Sequence, residues 1–329
     1  MSGTGSVAYY FKARGCRVAS NDYLHCNSIT AVALIENSSV TLSPEDIEFL
    51  LRDAEDDGSY TFIRDNFHGF YFTDPDNAWL DKRIGRIAEL ATLYTGDTLR
   101  YKQALAFHAM SQAALMKRPF NIFHRKNLCL RTNEVERSFG NKTTWETPFE
   151  ALYRRLCDEA NSAVFSNGMR NLAYNGQAEN LDLADTFDLV YLDPPYFAKG
   201  RERARSDYRF LYHFIEGMAR YLEWPDLVDW DDMRLALNRD YDKSSPYRSL
   251  PSELDKILLD WFQRILSRWQ DSIIVFSYKS PGVPNTQQLL DLVRGLRPNV
   301  TLHKKPYSYA LSKRNGKPNE NIELLIVGE

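Results

Sequence analysis

Residues 187–196 read FDLVYL followed by DPPY. A compact apolar run of this length, ended by a polar-proline turn, is the pattern of a strand buried on both faces, as in a parallel sheet. Proline has no N–H, so Asp193-Pro194-Pro195-Tyr196 stops the ladder, and two prolines in a row stiffen the turn. A strand of this kind needs neighbouring strands at its edges and layers of helix over its faces.

The rest of the chain supplies them. Val7–Arg14 is apolar at helical spacing and is closed by Gly15; a short strand over 16–20 follows, ending at Asn21-Asp22. The pattern predicts a helix over Asn27–Glu36 and a helix start at Ser43-Pro44-Glu45-Asp46, with an N-cap serine and proline at N1. Two further helices are expected within 76–115 and one over 149–164. After the DPPY strand come a charged loop (199–209), an irregular aromatic stretch to about Leu250, a helix over Ser252–Trp269 and a strand over Ser272–Phe276. A helix over Gln287–Leu296 and a strand over Ile322–Val327 close the chain. Strands alternating with helices predict an α/β, doubly wound sheet. The expected division is 1–40 as the first part of the sheet domain, 41–165 as a helical and irregular insertion, and 166–329 as the remainder.

No stretch approaches the roughly 18 apolar residues of a membrane span, and no basic-then-apolar leader opens the sequence. Cys16, Cys26, Cys129 and Cys157 form no CxxC pair, and the six histidines make no HExxH. Reduced thiols, a cytoplasmic location and no metal site are therefore expected. The formal net charge of −3 argues against a uniformly basic surface. Its distribution is uneven, however: 36–58 is acidic, whereas 117–155 carries nine Lys and Arg against four Glu. Such asymmetry marks a nucleic-acid face, or equally a solvated charged face.

Two motifs carry chemistry. Ser2-Gly3-Thr4-Gly5-Ser6 is a G-x-G-x-x-A loop opening a helix, where free N–H groups and bare glycine backbone approach a ligand. Asp22 ends the next strand, where an acid can bond ribose hydroxyls. Nicotinamide and flavin enzymes share this arrangement, as does a plain turn. DPPY separates the readings, because it stands at the carboxyl end of a strand, where open α/β sheets bind ligands. The lone pair of an aromatic amine is delocalised into its ring. Two acceptors on the amine hydrogens, the Asp193 carboxylate and the Pro194 carbonyl, raise electron density on nitrogen. Pro195 fixes the turn, and Tyr196 offers a face to a base lifted from a duplex. Nitrogen can then attack a sulfonium methyl in line, without a covalent enzyme intermediate. Gln177, between a short strand and the DPPY strand, fits a contact to the adenine of a cofactor, or an ordinary loop.

In this order, glycine loop, basic segment and DPPY resemble the Dam-like DNA adenine methyltransferases. The segment RPFNIFHRKNLCLRTNEVERSFGNKTTW (118–145) is similar to the family's stretch before DPPY, and SIIVFSYKSPGVPN (272–285), KPYSYALS (305–312) and ENIELLIVG (320–328) are similar to its closing strands. The resemblance implies a Rossmann-like S-adenosylmethionine-dependent methyltransferase sheet with a DNA-recognition insertion, acting on the N6 amine of a flipped adenine. It implies S-adenosylmethionine held by Ser2, Gly3, Gly5, Asp22, Gln177 and Asp193, and base chemistry at Asp193, Pro194, Pro195 and Tyr196. Arg125, Lys126, Asn127, Arg131, Lys142, Lys199 and Arg201 are the candidate contacts to double-stranded DNA. Phe139 and Trp145 fit packing or a DNA wedge, and Ser277-Tyr278 fits the base pocket. A cognate restriction endonuclease and a monomeric state complete the expectation.

Family members place a lysine-containing Gly-Ser-Lys element and a strand before the glycine loop, whereas here Met1 directly precedes Ser2-Gly3. The expectation is a chain lacking its N-terminal cofactor-binding element, either truncated or an inactive DNA-binding remnant. N4-cytosine and protein-glutamine methylation use related (N/D)PPY turns; the basic-aromatic insertion favours DNA.

Overall fold

The computed structural model describes residues 2–53, 58–134, 142–181, 186–197, 207–237, 253–307 and 321–329, except for the side chain of Phe120. The chain divides into two compact units, one of Ser2–Asn175 with Arg209–Asn238, the other of Gly176–Tyr208 with Arg239–Glu329.

The first unit is mostly helical around a two-stranded parallel sheet. α1 (Ser6–Ala13) begins at Gly5 and ends before Gly15, as its glycine flanks predict. β1 (Ala19–Asp22) turns Ser20 and Asp22 inward and pairs in parallel with β2 (Leu172–Asn175), Ala19 opposite Leu172. α2 (His25–Ala31) runs on through a wider helical turn, Val32–Glu36. Lys12 of α1 is buried, and its ammonium donates to Leu34 O at 3.0 Å and Asn37 O at 2.8 Å. A lysine against the carbonyls closing a helix complements the helix dipole. Burial still pushes its pKa down to about 8.

α3 (Pro44–Leu51) starts in a capping box, Ser43 accepting from Asp46 N and Asp46 from Ser43 N. α4 (Asp74–Glu89) is capped by Thr73. α5 (Gly96–Met116) is the spine of this unit: its Ala104, Leu105, Ala109, Met110 and Ala113 are buried, and it packs against α2, α4 and α6 (Phe149–Ala163). α7 (His213–Ala219) brings Phe214 into an aromatic cluster with Phe67, Tyr71, Phe123 and Trp224. Its Glu216 accepts from the backbone N–H groups of His25 and Cys26, holding the start of α2.

The second unit is a four-stranded sheet in the order β3 (Leu189–Leu192), β4 (Ile273–Ser280), β6 (Asn321–Gly328), β5 (Val300–Tyr307). β3 and β4 are parallel; β4 with β6 and β6 with β5 are antiparallel, so the sheet is mixed rather than purely parallel. α8 (Leu254–Leu266) and α9 (Thr286–Arg294), the latter opened by an Asn285–Gln288 capping box, cover Leu192, Ile274, Phe276 and Ile326.

Two expectations change. The DPPY strand forms, parallel to its neighbour, but it lies at an edge of the described sheet and only its last residue, Leu192, is buried. Apolarity marked the strand without specifying how many neighbours cover it. β5 had no counterpart in the hydrophobic pattern, because VTLHKKPY is mostly exposed and contains Pro306; it overlaps the KPYSYALS segment (305–312) of the resemblance only at 305–307. It is the other edge strand, where a missing N–H is tolerated.

Candidate functional site

In the first unit, Ser2–Gly5 closes a turn, Gly5 N donating to Ser2 O at 2.9 Å. Gly3 and Gly5 have φ of 54° and 78°, left-handed values that L side chains rarely adopt. Among the described residues nothing lies within 4 Å of a Cβ built on either, so their open faces leave the backbone approachable. Asp22 fastens this loop. Its Oδ2 accepts from Ser2 N and Gly3 N, each at 2.8 Å, and its Oδ1 from Leu24 N at 2.9 Å. A carboxylate has about four acceptor directions, so most of this one's capacity goes to shaping the loop. The hydroxyls of Ser2 and Ser20 are buried without a hydrogen-bond partner among the described residues. Buried hydroxyls are ordinarily satisfied, and that of Ser2 belongs to the glycine loop itself. Gln177, in the other unit, caps a single helical turn, Ala178–Asn180, and accepts from Asn180 Nδ2 at 3.2 Å.

In the second unit, DPPY follows the last residue of β3. The turn is held from below: Phe197, 1% exposed, donates its N–H to the Tyr278 hydroxyl at 3.1 Å, and its carbonyl accepts from Val283 N at 3.1 Å. The Tyr278 hydroxyl in turn donates to Val283 O. Tyr278 is thus a fully buried strut, and Ser277 beside it is buried too. The Tyr196 hydroxyl lies 3.0 Å from Ser277 Oγ and donates to Glu323 Oε2 at 3.4 Å; its ring meets Tyr278 edge-on at 5.4 Å. Burial raises the Asp193 pKa; the Tyr196 hydroxyl opposes this by hydrogen bonding, and the Glu323 charge adds to it. Tyr191, also raised by burial, is a further member of the cluster. The sequence reading did not include Tyr191 and Glu323. Strand alternation places them on the sheet face of Ser277, a signal that required the strand register.

The basic segment divides into inside and outside. Arg118 is buried and donates to Tyr71 O at 3.3 Å, Ile122 O at 3.3 Å, Arg125 O at 3.0 Å and Asn127 Oδ1, with Tyr71 and Phe123 against its guanidinium. Arg131 pairs with Asp76 at 3.1 Å, its side chain 7% exposed. Lys117 is buried on the carbonyls of Trp145 and Thr147. Asn127 and Arg131 therefore serve packing here, as does the buried Trp145. Arg125, Lys126 and Lys142 are exposed; Lys126 covers the Phe70 ring at 3.3 Å, and Lys142 pairs with Glu146 at 3.3 Å. Lys199, Arg201 and Phe139 lie outside the described residues. Among the described residues no cluster of His, Cys, Asp and Glu could hold a metal ion, and no helix is long and apolar enough to cross a membrane.

Residues 2–216 match the family model described as D12 class N6 adenine-specific DNA methyltransferase. The chain is 27% identical over 333 residues to the Type II methyltransferase M2.HphI of Haemophilus parahaemolyticus, covering 100% of this chain and 88% of that protein. It is 24% identical over 346 residues to the modification methylase StsI of Streptococcus sanguinis, covering 99% of this chain but 46% of that longer relative. No solved structure matches.

Proposed function

The chain belongs to the D12 class of N6 adenine-specific DNA methyltransferases, and we propose that it does this chemistry at Asp193-Pro194-Pro195-Tyr196 with S-adenosylmethionine as donor. The observation that carries the assignment is the half-buried Asp193 carboxylate at the end of β3, in a turn held by Phe197 and Tyr278.

The Asp193 carboxylate and the Pro194 carbonyl accept the two amine hydrogens of a flipped adenine, which concentrates the nitrogen lone pair. Pro195 stiffens the turn, and the Tyr196 ring, anchored at its hydroxyl, presents a fixed face to the base. With the donor bound, nitrogen would form its bond to the methyl carbon as the sulfur–methyl bond breaks, its electron pair staying on sulfur, and the amine would lose one proton, for which Asp193 is the nearest proposed acceptor. The group supplied by S-adenosylmethionine is a methyl on a positively charged sulfur. Ser2, Gly3 and Gly5 are proposed to hold this donor, supported by the open glycine faces and by the Ser2 and Ser20 hydroxyls, which have no partner among the described residues. Asp22 shapes that loop and offers its remaining acceptor direction; Gln177 is proposed to reach the donor's adenine.

Arg125, Lys126 and Lys142 are the proposed phosphate contacts, with Lys199 and Arg201 on sequence grounds alone. Asn127 and Arg131 are proposed to act through the shape of their segment. A Rossmann-like arrangement of the strands, the 41–165 insertion, a monomeric state, a cytoplasmic location and independence of metal belong to the same proposal. A cognate restriction endonuclease does too, supported by the relatives' names.

The test is nucleoside analysis of duplex DNA after incubation with the protein and labelled donor. N6-methyladenine is expected; N4-methylcytosine as the labelled product contradicts the base assignment.

A further inference from the structure

Tyr191, Ser277 and Glu323 share one face of the second sheet, because Tyr191 pairs with Val275, two residues before Ser277, and Glu323 pairs with Lys279, two residues after it. Their polar atoms gather beside the DPPY turn. The Tyr196 hydroxyl has Ser277 Oγ at 3.0 Å and Glu323 Oε2 at 3.4 Å, and it also faces Asp193. A phenol carries one proton, so these oxygens compete for it. Directed at Asp193, that proton occupies an acceptor site and draws electron density from the carboxylate. Directed at Glu323 or Ser277, it leaves Asp193 open.

We propose that Glu323 is a positioning residue for methyl transfer: it draws the Tyr196 hydroxyl proton to itself and Ser277, and so keeps the Asp193 carboxylate available to the N–H of the target amine. The inference rests on the reading of DPPY as the amine site. Glu323 is suited to the role because it is half-buried and fixed on a central strand, whose Leu324 and Ile326 are buried on the opposite face. Among the described residues, the groups facing Asp193 are Tyr191 on β3, Tyr196 in its own turn, Ser277 on β4 and Glu323 on β6. Glu323 is the acid among them, so its charge acts on Asp193 in the same direction as burial does.

The experiment compares Glu323→Gln, Glu323→Ala and Asp193→Ala with the full wild-type chain in steady-state methyl transfer to duplex DNA. Glu323→Ala is expected to lower kcat by about 10- to 100-fold, the scale for partners that orient a reactive group, with KM for DNA and donor unchanged. Glu323→Gln keeps an acceptor for the phenol and loses the charge. It is expected to recover most of the rate and to move the acid limb of the kcat profile to lower pH, since removing a like charge favours ionised Asp193. Wild-type kcat in Glu323→Ala, or an unmoved acid limb in Glu323→Gln, overturns the proposal; if the alanine variant does not fold, the glutamine variant decides. Asp193→Ala separates the two readings. Activity retained there defeats the DPPY assignment, whereas loss there with unaltered Glu323 variants defeats only the role of Glu323.

Discussion

Asp22 accepts the Gly3 backbone N–H at 2.8 Å, tying the end of β1 to a loop whose glycine has φ of 54°. The same oxygen takes the Ser2 N–H, so one carboxylate sets the direction of two successive backbone groups. Asp22→Ala leaves these donors and Leu24 N without their acceptor. Unfolding free energy is expected to fall by about 2 kcal/mol or more, and affinity for S-adenosylmethionine by more than the Asp22→Asn variant loses. Denaturant titration and calorimetric donor binding check this; wild-type donor affinity in Asp22→Ala contradicts it.

Gly5 caps α1 at φ of 78°, with nothing among the described residues within 4 Å of its would-be Cβ. Alanine there is opposed by backbone conformation, not by contact. Gly5→Ala is expected to cost about 1–2 kcal/mol in thermal or chemical denaturation. An unchanged stability shows that the left-handed turn is not required.

The basic segment calls for two kinds of variant. Replacing Arg125 and Lys126 by Gln is expected to weaken DNA binding and reduce the slope of log affinity against log salt by about 1 per charge removed, with the melting temperature unchanged. Arg118→Ala breaks a buried set of hydrogen bonds and is expected to destabilise by about 3 kcal/mol. Lysine should not rescue it, since it lacks the planar fork that reaches four separate acceptors. Equal effects of both kinds of variant on melting and binding contradict this division.

That division shows where sequence reasoning stopped. Gly15 after α1, the Ser43-Pro44 start of α3 and the apolar faces of α6, α8 and α9 were readable because their causes are local: a left-handed cap, a capping box, helical spacing. DPPY was readable because strand, acid, prolines and aromatic adjoin. Arg118 and Arg125 look alike in a composition count, and only tertiary packing sends one into the aromatic cluster and the other to solvent. Glu323 lies 130 positions from Asp193 in sequence, and only the β4–β6 register places it beside Tyr196. β5 lacked a hydrophobic signal because an exposed edge strand buries little.

One half-buried and one buried histidine make the first unit sensitive to acid. Burial pushes His108 of α5 down to about 4 and His213 of α7 down to about 3. The unfolded chain protonates each near pH 6.5 and the folded chain does not, so each costs stability as pH falls below 6.5, by about 1.4 kcal/mol per unit at most. Asp81, pushed up to about 6 by burial, acts oppositely: its contribution is present at low pH and lost as pH rises through 6. The separable prediction is therefore a difference. His108→Gln should gain stability relative to wild type as pH falls from 6.5 to 4, measured by denaturant unfolding, and a pH-independent difference contradicts it.

The most direct measurement is transfer of labelled methyl to adenine in duplex DNA by the wild type and by Asp193→Ala, with donor binding measured on both. Wild-type transfer, loss of transfer by about 100-fold or more in the variant, and unimpaired folding are predicted. A folded Asp193→Ala protein that still methylates adenine at the wild-type rate contradicts the assignment of the chemistry to the DPPY turn.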